Sequence, residues 1–205
     1  MGEESTVSGN PENRGLRSAQ LLRAGVLLLV GLAIAFTATM HEQLGFDVAV
    51  VAAGLGLIGI ATLVEYSALR ATAESWWVAA RAVIAVGAAG SMLAVSDTAS
   101  LALVIAIWAA LTALITLMRL VRGVQPLGVA LPSLLLSVLL AIAVLVIRGD
   151  QVAVIGVFGT YTIIRGVFLA IAAFDPRPAA SAEIGAANPA EPEAASAAQQ
   201  PGRDD

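Results

Sequence analysis

Arg165 stands inside VAVIGVFGTYTIIRGVFLAIAAF, residues 152 to 174, an apolar run otherwise long enough and clean enough to cross a bilayer. At 1.5 Å of rise per residue it lies roughly 13 Å from the Phe174 end. An arginine that deep costs about 2.5 to 3.5 kcal/mol on insertion scales. Snorkelling is the usual relief, but helical side chains lean toward their own N-terminus, here the farther interface. Arg165 is therefore expected to need partners inside the protein. Tyr161 is one turn away on the same face, Thr162 is three residues away, and Thr112 occupies the matching position of an earlier span. Three roles stay open for Arg165: a cross-link between helices, lining of a polar cavity, or contact with a lipid headgroup.

Two further charges belong to the same argument. Arg81 is five residues into its span, near the end where its side chain already leans toward water, and reads as interfacial. Glu65 falls near the C-terminal end of its span, where the helix dipole disfavours an anion, so it calls for a basic neighbour. Arg70 and Arg81 match it in depth, and Arg165 would have to reach several ångströms.

Other chemistry is sparse. The single histidine, His41, and Ser91 both fall at the outer ends of spans, so a Ser/His pair is conceivable, but an outward histidine of this kind reads as a solvated loop residue. Its ordinary titration range would also suit a pH sensor, with Glu42, Asp47, Asp97 and Asp150 following in stronger acid. Topology alone accounts for acidic outer loops. There is no cysteine, which excludes thiolate metal sites and cysteine nucleophiles. Zinc-ligand spacing, a P-loop and a dinucleotide fingerprint are missing as well. The expectation is a protein that is not an enzyme, with no cofactor and no metal.

The elements that position these groups follow from composition. Hydrophobic residues make up 59% of the chain and charged residues 13%, with a mean hydropathy of +0.88, which places it in a membrane. Six continuously apolar runs, at about 24–40, 46–66, 76–95, 101–120, 127–147 and 152–174, each have the length of a transmembrane helix. The fold class is all-α, an integral membrane bundle of six transmembrane helices. The first run could instead be a signal-peptide core, but Glu3, Glu4 and Glu12 precede it and no small-residue cleavage site follows. Transporters place broken helices at a midplane site, whereas the prolines here, Pro126 and Pro132, read as a loop and a first helical turn.

All eleven basic residues are arginines, and Arg14, Arg17, Arg23, Arg70, Arg119, Arg122 and Arg177 fall on one side of the six runs. The other side has only Arg148 among its acidic residues. By the positive-inside rule both termini are cytoplasmic, in a bacterial inner membrane. Trp76 and Trp77 open the third span as an interfacial belt. The polar residues 1–20 and the Pro/Ala/Glu-rich residues 178–205 are expected to be disordered cytoplasmic tails flanking a domain at 21–177. The net charge of −4 makes nucleic acid an improbable partner. The expected partners are the lipid bilayer and, left open, a second copy or another membrane protein.

The spans pair into three hairpins. At an offset of 53 or 54 residues Gly54, Trp108 and Tyr161 coincide, as do Gly59, Ala113 and Gly166, which suggests one hairpin repeated in parallel. Small residues allow close helix approach where lipid supplies no hydrophobic drive. The expected seams are Ala52, Gly56 and Gly59; Gly87, Gly90 and Ser91; and Gly156, Gly159 and Gly166.

With GLGLIGIATLVEY, IWAALTALITLMRLVRG and TYTIIRGVFLAIAAF on the return helices and WW opening the third span, the chain resembles the HdeD-like acid-resistance membrane proteins, from about Leu21 to Arg177. A proline that this family often carries after its outward helices is replaced here by TATMHEQ, AVSDTAS and VIRGDQ. The resemblance implies a six-span inner-membrane protein of three hairpin repeats, linked in some members to survival under acid stress, with no catalytic residues. The alternative is a small transporter or channel subunit with a polar path near Arg165.

Overall fold

A computed structural model describes residues 11–41, 43–69, 75–125 and 127–174. Six long helices account for nearly all of them: α1 (Pro11–Phe36), α2 (Leu44–Leu69), α3 (Ser75–Ser91), α4 (Thr98–Val121), α5 (Leu127–Val146) and α6 (Gln151–Phe174), with short 3-10 turns at Ala38–Met40 and Met92–Ala94. All six, counting the turn that extends α3 to Ala94, are long and apolar enough to cross a membrane. In hydrocarbon the backbone has no water to bond, and a helix satisfies it internally. The chain is a multi-pass, all-α membrane protein.

The helix ends are fixed by local chemistry. At the start of α4 the Asp97 carboxylate accepts from the Ser100 backbone N–H at 2.7 Å, and the Ser100 hydroxyl accepts from the Asp97 N–H at 3.2 Å, a reciprocal capping box. The Ser100 N–H, helped by its hydroxyl, holds the Asp97 carboxyl below the usual carboxylate range. At the other end of α4, Gly123 adopts φ +69°. Its N–H donates to the Leu120 carbonyl, and the Val124 N–H donates to the Arg119 carbonyl. This Schellman closure requires a left-handed residue, and glycine supplies it without strain.

Consecutive helices from α1 to α5 pack against one another. Helix α6 closes against α1 through glycines. A Cβ on Gly31 would meet the Gly159 carbonyl oxygen at 2.8 Å, one on Gly159 would meet Ile34 at 2.9 Å, and one on Gly166 would meet Leu28 at 2.8 Å and the Ala24 carbonyl at 3.0 Å. Gly59 similarly admits Val86, and Gly54 admits Val30. Gly159, Gly166 and Gly59 thus sit in seams. Gly56, Gly87, Gly90 and Gly156 do not, since a Cβ there would meet nothing within 4 Å. The pattern of small residues cannot tell a seam from a lipid-facing groove, and Gly31 and Gly54 were missed for the same reason. A core including Leu27, Leu55, Leu101, Ile105, Leu140, Ile155 and Phe158 fills the interior. Phe36, Leu93, Val121 and Val146 are among the large apolar side chains exposed outward, where acyl chains would cover them.

Two boundaries differ from expectation. Helix α1 begins at Pro11, within the segment expected to be disordered, with proline in a first turn that needs no N–H donor. Pro132 lies in the second turn of α5 rather than the first, so the Gly128 carbonyl loses its helical donor. The expectations for residues 1–10, Glu42, Arg70, Pro126 and 175–205 lie outside the described residues.

Candidate functional site: an arginine-lined cavity

Arg165 is buried, 4% exposed, and its partners are neutral. One terminal nitrogen donates to the Tyr161 hydroxyl at 2.8 Å and to the Ser137 hydroxyl at 3.0 Å. The Ser137 hydroxyl donates onward to the Ser133 carbonyl at 2.9 Å. This leaves the Tyr161 O–H as donor in its 3.2 Å contact with Ser137, so each hydroxyl has one place to give its hydrogen. Tyr161 is held by an edge-to-face contact with Trp108, ring centroids 5.7 Å apart, and Trp108 meets Phe158 at 5.9 Å in the same manner. The guanidinium carbon of Arg165 lies 5.6 Å from the Tyr161 ring centroid. The sequence pointed to Tyr161; Ser137, on another helix, carried no local signal.

Glu65 pairs with Arg23, whose terminal nitrogen donates to it at 2.9 Å. Among the described residues this puts Arg23 where Arg81 or Arg165 was expected; Arg70 lies outside them. The arginine pattern places Arg23 in the basic flank, yet α1 extends N-terminally, so Arg23 lies roughly 9 Å inside the apolar stretch that begins at Arg17 and is only 6% exposed. Glu65, roughly 6 Å from the Leu69 end of α2, is at a matching depth. The buried Arg23 Nε has no hydrogen-bond partner among the described residues.

Arg81 is also reassigned. Instead of leaning out to an interface, it is half-buried and faces the bundle, where it lines a cavity with Arg23, Arg165, Thr62, Thr112, Leu27, Ile58, Ala85 and Trp108. The space open to the centre of a water molecule there is about 10 Å³, room for about one water. Arg81 has no hydrogen bond or ion pair to any described residue. The Thr62 hydroxyl donates to the Ile58 carbonyl at 2.7 Å. Thr112, expected beside Arg165, does share the cavity with it. Three guanidinium groups from α1, α3 and α6 thus meet around one small space, with a single carboxylate bonded to one of them.

A second polar cluster lies at the opposite end of the bundle. His41, read as a solvated loop residue, is 3% exposed, and Asp47, read as an exposed loop acid, is fully buried. His41 Nδ1 contacts Asp47 Oδ1 at 2.5 Å and its Nε2 contacts the Ile34 carbonyl at 2.9 Å. The Gln151 amide donates to Asp47 Oδ2 at 2.6 Å and to the His41 carbonyl at 3.0 Å. The Ile34 carbonyl can only accept, so Nε2 carries a hydrogen. The cluster is electrically balanced whether the remaining proton sits on Nδ1 or on the carboxyl. Asp47 is in the first turn of α2, where the helix dipole favours an anion. Ser91 is exposed, and its hydroxyl donates to the Ala88 carbonyl of its own helix.

Among the described residues no group of three or more His, Cys, Asp or Glu side chains could hold a metal ion. The fold and the site together define a multi-pass helical membrane protein with an arginine-lined cavity in one half of its bundle. Comparisons with protein-family models, curated proteins and solved structures returned no match.

Proposed function

We propose that the protein is a closed membrane scaffold of the HdeD-like kind, not an enzyme, which contributes to acid or envelope-stress tolerance of a bacterial inner membrane with both termini in the cytoplasm. The observation that carries the scaffold reading is the use made of buried polar groups. Arg165 ties α6 to α5 through Ser137, Arg23 ties α1 to α2 through Glu65, and Gln151 ties α6 to α2 and to the α1–α2 connection. Each is a cross-link between helices in a medium that offers no substitute partner. The stress role rests on the resemblance of the return helices.

A transporter or channel subunit is the second reading, favoured by the cavity that Arg165 lines. With room for about one water, that cavity is too small to be a conducting path. The test compares acid survival and proton leakage in cells with and without the protein, and the topology with reporters fused at Asp97 and Asp205. Better survival without added leakage, with reporters on opposite sides, is the expected result. Protein-dependent proton or ion flux would overturn the scaffold reading, and reporters on the same side would overturn the topology.

A further inference from the structure

Among the described residues, charge in the arginine cavity does not balance. Arg23, Arg81 and Arg165 bring three positive charges to its wall and Glu65 returns one negative charge through Arg23, which leaves a surplus of two among these residues. Like charges held together at this depth repel strongly, because the surroundings screen them poorly. The donors are also incompletely used. Among the described residues the buried Arg23 Nε lacks an acceptor and Arg81 bonds none, and both hydrogen bonds of Arg165 leave from one nitrogen. Buried donors such as the Arg23 Nε normally have partners, and the remaining N–H groups of these three arginines are free to give to something in the cavity.

We propose that this cavity binds one small inorganic anion of halide size, which in a cell is chloride. The size of the cavity decides the class. Room for about one water suits a monatomic anion, whereas a tetrahedral oxyanion or a lipid phosphate would force the three arginines apart. The chemistry agrees: arginine side chains from three helices line the cavity, and Leu27, Ile58, Ala85 and Trp108 supply the apolar remainder of the wall. The bound anion supplies the acceptor that the bundle lacks and ties α1, α3 and α6 together. The inference is independent of the stress-tolerance reading and holds whether or not that reading survives.

Trp108 lines the cavity and is 4% exposed, so it serves as the reporter. Bromide, a heavy-atom quencher, is titrated into the full chain in detergent and gluconate buffer, with Trp76→Phe and Trp77→Phe introduced to leave Trp108 as the sole indole. Expected are saturable quenching, reversal by chloride, and an affinity weakened at least about tenfold by Arg81→Gln, the scale of losing one charge-assisted hydrogen bond. Quenching that rises linearly with bromide, with equal slope in Arg81→Gln, would overturn the proposal. So would protection of the fold by phosphate or by phosphatidylglycerol without any effect of halide, which would assign the cavity to an oxyanion, the two probes separating free from lipid-borne phosphate. If the tryptophan variants do not fold, the unmodified chain gives the same decision. Its thermal midpoint should rise saturably with chloride at constant ionic strength, and a midpoint indifferent to chloride would refute the site.

Discussion

The two polar clusters of this bundle both reach its interior and are built differently. At the α1–α2 connection His41, Asp47 and Gln151 close on one another: the histidine has a hydrogen-bond partner on each ring nitrogen and both carboxylate oxygens are engaged. In the other half, Arg23, Arg81 and Arg165 gather around a cavity and share one carboxylate. Burial of a charge alone therefore does not mark a site. A cluster whose donors and acceptors match is a joint, costly to break and with nothing left over to bind. A cluster left with like charges and unused donors is complete only with something added to it.

The largest effect should come from breaking the balanced joint. Asp47→Ala leaves the His41 ring and the Gln151 amide without their buried acceptor, and a loss of about 3 kcal/mol or more is expected. Thermal unfolding in detergent reads it, and a loss below about 1 kcal/mol would mean that the cluster is not the joint described. Next is Glu65→Gln, which removes the one carboxylate that bonds the arginine cluster among the described residues. It should destabilise by about 2 to 4 kcal/mol, and chloride should recover part of that loss. Combined with Arg165→Leu its effect should be smaller than the sum of the two, because Arg165 adds to the positive charge that Glu65 offsets at the shared cavity; strict additivity would mean that the three arginines do not act on one another.

Smaller changes sharpen the contrast. Arg165→Leu removes a costly charge together with its need for partners, and the protein should still insert with six spans and accumulate near its normal level. Tyr161→Phe, which keeps the ring against Trp108 but deletes an acceptor of Arg165, should cost about 1 kcal/mol. If Arg165→Leu instead folds normally and abolishes a stress or transport phenotype, Arg165 is functional rather than structural. The smallest effect is expected at Asp97. Its carboxyl titrates below the ordinary range because the Ser100 N–H and hydroxyl favour the ionised form. That stabilisation is present above the unfolded carboxylate value of about 3.9 and is lost as pH falls through the lower folded value. The gap in thermal midpoint between the native chain and Asp97→Ala should therefore be open at neutral pH and close in strong acid.

The six helices were legible because continuous apolar runs of membrane length have few other structures available. Tyr161 was legible too, since one turn of helix puts it beside Arg165. What the sequence hid was convergence between helices. Ser137 looked like one small polar residue among many, and only the α5–α6 contact makes it an acceptor. Arg23 and Arg81 resembled the basic fringe that topology demands, and the extra turns at the start of α1 moved Arg23 below the surface. His41 and Asp47 looked like loop residues because the chain connecting α1 and α2 is short and polar, yet Gln151 folds over both. Glycine spacing failed at Gly56, Gly87 and Gly90 because it records where close approach is possible and not which neighbour uses it.

The central claim, that one cluster is balanced and the other is not, is tested most directly by removing the arginine that bonds no described residue. Thermal midpoints of the native chain and Arg81→Gln are compared in gluconate buffer and again in chloride. In gluconate the variant should melt higher, because a repelling cation has gone, and chloride should raise the native chain while leaving Arg81→Gln nearly unchanged. A variant that melts lower in gluconate and responds to chloride as the native chain does would show that Arg81 is an ordinary satisfied group, and would contradict the account.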